Sequence, residues 1–225
     1  MNREAHTPPL GVAALTPLYD RAIAGLTREK VWRTMLVGHL DPRPGQRILD
    51  VGSGTGSLAL AVSAAEPACR FHGIDPDEAA VAIARRKAAT AGSTATFEVG
   101  RFDERPAAPD ELADKIVCSL VLHQAPLAEK RRLLGAMFDR LKPGGALFVA
   151  DYGLQPTLAL RAAFRLTVQL LDGRADTQPN ADGVLPGLID AAGFRHRRCL
   201  DAIDTVTGRI EIVRAVRPAA RERTS

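Results

Sequence analysis

A strand-like run that passes directly into glycines is the part of this chain best suited to chemistry. Residues 47–56 place a carboxylate, Asp50, inside an apolar stretch and then place glycine at every second position. Glycine lets the backbone turn sharply and approach a ligand closely, and the helix that should open after the turn offers free N–H groups. The run therefore predicts a cradle for a nucleotide-type cofactor. The residues predicted to form it are Gly52, Ser53, Gly54 and Gly56.

Spacing and charge distinguish two kinds of cofactor for this cradle. A dinucleotide site requires a third glycine three residues after the second, and that position is Ser57. The carboxylate of Asp50 would also repel a pyrophosphate, whereas it suits a ligand that carries positive charge. S-adenosylmethionine has a sulfonium and an ammonium group, so it fits the pattern better than a dinucleotide does.

Four segments in order resemble the class I S-adenosylmethionine-dependent methyltransferases, and together they span most of the chain. They are residues 48–56, 73–76, 114–123 and 141–145. The stretch from Leu18 to Trp32 and the pair Leu122-His123 are most similar to the ubiquinone- and menaquinone-biosynthesis enzymes and related small-molecule methyltransferases. The resemblance implies transfer of a methyl group from S-adenosylmethionine to a small, hydrophobic organic acceptor such as a quinone-like ring.

The acidic end of the second predicted strand is the expected ribose site. Asp75 can accept hydrogen bonds from both ribose hydroxyls, and Pro76 follows it. The same residues also read as a helix start with proline at its first position, and the two roles are compatible. Asp50 has an alternative role too, as an acid hydrogen-bonded to local backbone.

The adenine site departs from the pattern of related enzymes, which place an aspartate after the third strand. Here that position is Arg101, and a guanidinium group cannot accept a hydrogen bond from the adenine amine. Either Asp103 takes its place, or backbone or water does. Phe102 is expected to pack on the purine or to be an ordinary core aromatic. Tyr19, in the N-terminal segment, is expected to cover the donor or to have a packing role.

The reacting groups are expected at the ends of the fourth and fifth strands. Ser119 and Leu120 should lie beside the sulfonium, and Asp151 and Tyr152 should face the acceptor or serve as packing residues. Methyl transfer is an in-line displacement in which positioning supplies much of the rate, and a base is needed only if the acceptor must lose a proton. His123 is the candidate base, with a structural histidine as the alternative.

The order of elements predicts an α/β, Rossmann-like, doubly wound seven-stranded sheet with an N-terminal helical cap at residues 17–39. Apolar strands alternate with helical patterns in the middle of the chain, which favours parallel pairing and right-handed crossovers. One helix is expected at 156–171 and a polar loop at 172–182. Strands at 195–204 and 209–216 read as a terminal antiparallel hairpin.

Length and composition suit one domain. The 225 residues are 46% hydrophobic and 25% charged. We expect a cap segment at 1–40, a catalytic core at 41–218 and a flexible tail at 219–225. Apolar runs stay short of the ~20 residues that a membrane span needs, and residues 1–9 lack a signal pattern. A cytoplasmic protein is therefore expected, with a homodimer as one possible state.

Charge and cysteine content limit the partners. The net charge of +4 comes largely from arginines near the C-terminus, yet aromatic residues make up only 4% of the chain, so nucleic-acid binding is not expected. Three cysteines without paired spacing give no metal site and no disulfide framework.

Several alternatives remain open at this point. Residues 119–122 read Ser-Leu-Val-Leu, which lacks the Asp/Asn-Pro-Pro-aromatic pattern of enzymes that methylate base amines or amides. An amine or a lipid headgroup is the next acceptor class. From other classes, a nicotinamide-dependent oxidoreductase is disfavoured by Ser57, and a non-catalytic donor-binding protein would bind the cofactor without methylating an acceptor.

Overall fold

The computed structural model describes residues 27–104 and 112–219, which contain seven strands and eight α-helices. The strands are β1 (Arg47–Val51), β2 (Arg70–Asp75), β3 (Thr96–Val99), β4 (Ala113–Ser119), β5 (Leu141–Tyr152), β6 (Arg195–Thr205) and β7 (Gly208–Val216). The helices are α1 (Glu29–Leu40), α2 (Ser57–Ala65), α3 (Glu78–Thr90), α4 (Leu127–Arg140), α5 (Leu158–Leu166), α6 (Val168–Asp172), α7 (Arg174–Ala181) and α8 (Leu185–Ala191), with a 3₁₀ turn at Leu122–Gln124.

The strands form one sheet in the order β3-β2-β1-β4-β5-β7-β6. Strands β1 to β5 are parallel, and β7 inserts antiparallel between β5 and β6. The predicted doubly wound sheet with a terminal hairpin is therefore confirmed. The chain reverses its winding between β1 and β4, which is where such sheets open a crevice at the carboxyl ends of their strands. In β1, Asp50 lies opposite Gly73 of β2 and Val117 of β4.

Apolar side chains cover both faces of the sheet. One buried cluster includes Trp32 from α1, Val62 from α2 and Phe148 from β5. The other includes Leu134 from α4 and Ile189 from α8. Burial on both faces explains why the central strands read as continuous apolar runs and not as alternating ones.

The helix α1 carries the described part of the N-terminal cap. Its residues Trp32, Leu36 and Leu40 recur every fourth position and are all buried, so one face of the helix packs on the sheet. At its C-terminus the Lys115 ammonium donates to the carbonyl oxygens of Leu40 at 2.6 Å and Asp41 at 2.8 Å. The rest of the predicted cap lies outside the described residues.

The segment after β5 differs from the prediction. The expected single helix at 156–171 is divided at Thr167, and the expected loop at 172–182 contains the helix α7. Gly173, with φ of 83°, lets the chain turn between α6 and α7. Thr177 and Asn180 are buried, so tertiary contacts hold a polar sequence helical where its composition favoured a loop.

The fourth strand ends at Ser119, because Leu120 takes a left-handed φ of 55°. The fifth strand runs from Leu141 to Tyr152, so Asp151 and Tyr152 are its last two residues. Across the two described ranges, no helix combines the length and the apolar character needed to cross a membrane.

Candidate functional site

The glycine turn after β1 adopts backbone angles that favour glycine at three positions. The φ angles are 72° at Gly52, 50° at Gly54 and 76° at Gly56. A Cβ atom at Gly52 would lie 2.3 Å from Cγ2 of Val121, so the loop after β4 packs directly on the turn. At Gly54 a Cβ atom would meet nothing within 4 Å. The turn is therefore closed on one side and open to a ligand at Gly54.

Asp75 joins the end of β2 to this turn. Its Oδ2 accepts from the Gly54 N–H at 2.7 Å, and its Oδ1 accepts from the Asp77 N–H at 2.9 Å. The side chain of Asp77 accepts from the N–H groups of Ala79 and Ala80 and so caps α3. The cap is thus built on Asp77, while Asp75, just before Pro76, holds its carboxylate against the open part of the turn.

Asp50 is a buried acid that lacks a donor. It is 1% exposed, and among the described residues neither of its carboxylate oxygens has a hydrogen-bond partner. The buried hydroxyl of Ser53 also has none. Burial raises the pKa of Asp50 to about 7, against the lowering effect of the Arg33 cation and with a small addition from Asp75. An unpaired buried acid is costly, and a ligand cation would remove the cost.

A second buried carboxylate, Asp151, organises the loop after β4. Its Oδ2 accepts from the backbone N–H groups of Val121, Leu122 and His123 at 3.1, 2.7 and 3.2 Å. Its Oδ1 accepts from Nδ1 of His123 and from the N–H of Tyr152, both at 2.7 Å. Five donors therefore surround Asp151, which fixes the loop that packs on the glycine turn.

His123 lies between two carboxylates. Its Nδ1 faces Asp151, and its Nε2 is 3.5 Å from Oδ2 of Asp172 at the end of α6. Burial lowers the pKa of His123, but Asp151 and then Asp172 outweigh burial and raise the pKa to about 9. The imidazole is therefore cationic at neutral pH with both nitrogens engaged, an arrangement that favours holding α6 against the loop over accepting a proton.

Tyr152 is buried beside His123, with 5.0 Å between the two ring centroids. Its hydroxyl shares a hydrogen bond of 2.7 Å with the hydroxyl of Thr207, and burial raises the pKa of Tyr152 to about 12. These contacts favour a packing role for Tyr152, the alternative that the sequence left open.

Residues predicted near the adenine have other partners in the structure. Arg101 pairs with Glu129 of α4 and with Glu104, and its pKa is raised first by the hydrogen bond to Glu129. Phe102 is buried in the core, with the Arg140 guanidinium 4.4 Å from its ring centroid. Its burial agrees with the second of its two expected roles, that of an ordinary core aromatic. Asp103 accepts from Arg132 at 3.1 Å.

The residues expected beside the sulfonium lie at the end of β4. Ser119 is paired with Ala150 of β5, and the Leu120 N–H donates to the Ala150 carbonyl at 2.9 Å. Left-handed backbone is rare for leucine, so Leu120 marks a strained point at the crevice. Tyr19, expected to cover the donor, lies outside the described residues. Residues 27–104 and 112–219 hold no His/Cys/Asp/Glu group suited to a metal ion.

Comparison with known proteins places this crevice in a family. Residues 48–145, which run from β1 into β5, match the family model described as "Methyltransferase domain". The chain carries a methyltransferase domain. The unpartnered acid Asp50, the hydroxyl of Ser53 and the open position at Gly54 fit a ligand with cationic groups.

Two curated relatives of the methyltransferase domain carry quinone-related names. The ubiquinone/menaquinone biosynthesis C-methyltransferase UbiE of Bordetella avium is 31% identical over 134 residues, which are 59% of this chain and 50% of that protein. The demethylmenaquinone methyltransferase of Thermus thermophilus is 29% identical over 187 residues, 79% of this chain and 82% of that protein. The chain thus spans about half the length of the Bordetella relative.

A solved structure extends the comparison to the fold. Phosphoethanolamine N-methyltransferase 2 of Haemonchus contortus, in complex with S-adenosylmethionine, superimposes with a TM-score of 0.66 at 16% identity. The match takes in 83% of this chain and 52% of that one. At this identity the likeness concerns the fold.

Lys130 is a residue of the methyltransferase domain that sequence reasoning missed. It lies on α4, is 0% exposed, and donates to the carbonyl oxygens of His123 at 3.3 Å, Ala125 at 2.7 Å and Asp176 at 2.6 Å. Lys130 therefore ties the loop after β4 to α7. A signal existed in the sequence, because the lysine falls on the same helical face as the buried Leu134 and Met137.

Proposed function

We propose that the domain transfers the methyl group of S-adenosylmethionine to a small, hydrophobic organic acceptor, with a quinone-like ring as the first candidate, and that it acts in the cytoplasm. The names of the Bordetella and Thermus relatives support this acceptor class. The leucine-rich segment that follows β5, at the carboxyl edge of the sheet, supports an apolar acceptor site.

The unpartnered carboxylate of Asp50 is the main support for proposing which residues bind the cofactor. We propose that Asp50 and Ser53 meet the cationic methionine portion, while Asp75 accepts from the ribose hydroxyls. Gly52, Gly54 and Gly56 would approach the ligand through their backbone. A buried carboxylate with no protein donor is costly by itself and favourable beside a cation, which supports a cationic ligand at this position.

Asp50, Ser53 and Asp75 would hold S-adenosylmethionine, which would supply an electrophilic methyl carbon to the acceptor and leave as S-adenosylhomocysteine. Ser119 and Leu120 would lie beside that carbon and exclude water. We propose that Asp151 and His123 act as positioning residues that hold the loop 120–123 against the glycine turn. Alignment of donor and acceptor can supply much of the rate of such a displacement.

A pH profile separates positioning from base catalysis at His123. A positioning role of the cationic imidazole predicts that wild-type kcat falls as pH rises through about 9, and that His123→Gln has a lower kcat and lacks this fall. If His123 were the general base, wild-type kcat would instead rise as the imidazole loses its proton, the variant would lose that rise, and proton-free acceptors would be unaffected by the substitution.

Methyl-labelled S-adenosylmethionine tests the acceptor class. The protein is incubated with the label and an extract of its source organism, and the label is then separated into organic-soluble, small polar, protein and nucleic-acid fractions. Label in the organic fraction supports a hydrophobic acceptor and supplies the product for identification. The Asp75→Asn variant is the matched control, because it should lose the label from whichever fraction is specific.

The same experiment distinguishes the second candidate. Label in the small polar fraction would favour an amine or headgroup acceptor. Label confined to protein or nucleic acid would overturn the small-molecule proposal while leaving the domain and its cofactor intact. Binding of S-adenosylhomocysteine without label in any fraction would favour a donor-binding protein that does not methylate.

A further inference from the structure

One surface of the molecule gathers most of its exposed hydrophobic side chains. Apart from Val31 and Val99, the large hydrophobic residues exposed in the described ranges all follow β5 or lie at the tip of the β6–β7 hairpin. They are Leu154, Leu158, Leu166, Leu170, Leu171 and Val206. Thr167 donates to the carbonyl oxygen of Thr207 at 3.4 Å, which brings the hairpin tip beside α5 and α6. Contiguous apolar surface of this kind marks an interaction site.

The helices α5 and α6 arrange this surface in rows. Leu160, Phe164 and Val168 recur at every fourth position and are buried against the domain. A second row at the same spacing points outward, and we call it the leucine ridge: Leu158, Ala162, Leu166 and Leu170. Three of its members are 87%, 75% and 78% exposed. The two helices therefore present one apolar face to the core and another to the surroundings.

The charged side chains of α5 are all basic. Arg161 and Arg165 form the neighbouring row of α5, and both are exposed, as is Arg174 at the start of α7. The run from Leu154 to Leu171 contains no aspartate or glutamate. A basic row beside an apolar row is the pattern of a helix that lies in the plane of a membrane, where long arginine side chains reach the lipid phosphates.

We propose that the leucine ridge docks on the surface of an anionic phospholipid bilayer. Charge complementarity favours this occupant over a second copy of the chain. A two-fold interface would place the ridge against itself and bring Arg161 and Arg165 of both copies together with no acid in the segment to compensate. A bilayer accepts the leucines in its acyl boundary and pairs the arginines with phosphate.

Docking would also orient the carboxyl edge of the sheet, where the proposed acceptor site lies, towards the bilayer. The helix α6, which carries Leu170 of the ridge, ends at Asp172, whose carboxylate faces His123 beside the carboxyl end of β4. The surface that meets the lipid is therefore continuous with the segment that borders the proposed acceptor site. This inference goes beyond the proposed function, because lipid binding needs neither a cofactor nor an acceptor.

Vesicle sedimentation with the full chain tests the proposal. The probe is phosphatidylglycerol mixed into phosphatidylcholine, with pure phosphatidylcholine as the comparison, at low and at high salt. We expect sedimentation with the anionic vesicles that weakens with salt. The variant Leu158→Ser/Leu166→Ser/Leu170→Ser should bind at least roughly tenfold more weakly, since its apolar contact is removed. All three side chains are exposed, so its thermal unfolding should match the wild type.

Two charge-reversal variants test whether the arginines beside the ridge contribute to vesicle binding. Arg165→Glu/Arg174→Glu should weaken binding on the order of thirtyfold or more, at about 1 kcal/mol for each arginine near an anionic surface. Arg86→Glu/Arg131→Glu changes the net charge equally, but the two exposed arginines lie on α3 and α4, so binding should change only a few-fold.

Three results would overturn the proposal. The first is no sedimentation with anionic vesicles, and the second is equal weakening by both charge pairs, which would indicate a diffuse electrostatic effect. The third is a dimer in sedimentation velocity that dissociates in the leucine-ridge variant, which would assign the ridge to a second copy. Since the vesicles contain no acceptor, these outcomes are independent of the methylation experiment.

Discussion

Replacing Asp50 by asparagine should stabilise the cofactor-free protein and at the same time weaken its hold on S-adenosylmethionine. Burial raises the pKa of this acid from 3.8 to about 7. A folded-state pKa above the unfolded value means that the native state binds the proton more tightly, so stability falls as pH rises through the interval from 3.8 to about 7. Above that interval the ionised carboxylate costs about 4 kcal/mol.

Asparagine has nearly the same shape and cannot ionise. Its amide also lacks partners at this site, which costs about 1 to 3 kcal/mol at every pH. The pH-independent part cancels in a comparison across pH. From about pH 5 to about pH 8 the stability of the variant relative to wild type should therefore rise by about 2 to 3 kcal/mol.

Urea denaturation at the two pH values measures this difference. Asp139→Asn is the control, because Asp139 is exposed on α4 and the substitution makes the same chemical change outside the core. A relative stability of Asp50→Asn that does not change with pH would show that Asp50 titrates normally, and the inference of a ligand-dependent acid would fail.

Calorimetry of the same variant identifies the cation that Asp50 meets. A charge-assisted hydrogen bond to the ligand is worth about 1.5 to 3 kcal/mol, so the Kd of S-adenosylmethionine should rise roughly ten- to hundredfold. S-adenosylhomocysteine keeps the ammonium group and lacks the sulfonium charge. Equal losses for both ligands assign Asp50 to the ammonium, and a loss limited to S-adenosylmethionine assigns it to the sulfonium. Wild-type affinity should also fall as Asp50 is protonated below about pH 7.

Three further substitutions test the surroundings of the cofactor. Gly52→Ala should lower the free energy of unfolding by about 2 to 5 kcal/mol, because its Cβ would collide with Val121. Gly54→Ala has open space around it, so it should lower the free energy of unfolding by about 1 to 2 kcal/mol and mainly weaken cofactor binding. Equal losses of stability in the two variants would contradict a turn that is closed at Gly52 and open at Gly54. The pKa of His123 is raised from 6.5 to about 9, so the cationic imidazole should stabilise the fold by about 3 kcal/mol below pH 6.5. This stabilisation should be lost as pH rises through about 9. Urea midpoints measured across pH should show the loss in the wild type and not in His123→Gln. Lys130→Met leaves three carbonyl oxygens without their donor and should lower the free energy of unfolding by about 2 to 4 kcal/mol. Amide hydrogen exchange in α7 should also become faster. Unchanged exchange in α7 would refute the link between α7 and the loop after β4.

Much of the fold can be predicted from the sequence, because the patterns that specify its strands and turns lie within short segments of the chain. Apolar runs bounded by turns give the central strands, and α2 begins at Ser57, directly after the glycine turn, where a helix is expected. Glycine at 52, 54 and 56 marks a turn that needs left-handed angles, and all three have positive φ. The parallel order then follows from strands that alternate with helices.

The segment after β5 could not be predicted in the same way. Residues 174–181 are polar and contain Pro179, so composition favours a loop, yet they form α7. The deciding contacts come from far along the chain, since Lys130 donates to Asp176 and the buried Asn180 donates to the Tyr152 carbonyl at 2.9 Å. Propensity is a weak preference that such contacts override.

The sequence by itself determined the strand, the turn and the acid-bearing positions of the cofactor crevice, because chain geometry and side-chain periodicity fix them within a few residues. Only the tertiary structure decided how those acids are used. Asp50 and Asp151 are both buried carboxylates at strand ends, yet Asp151 has five protein donors and Asp50 has none among the described residues. That difference depends on which loop folds back over each residue, and loop closure is set by contacts between segments distant in the chain.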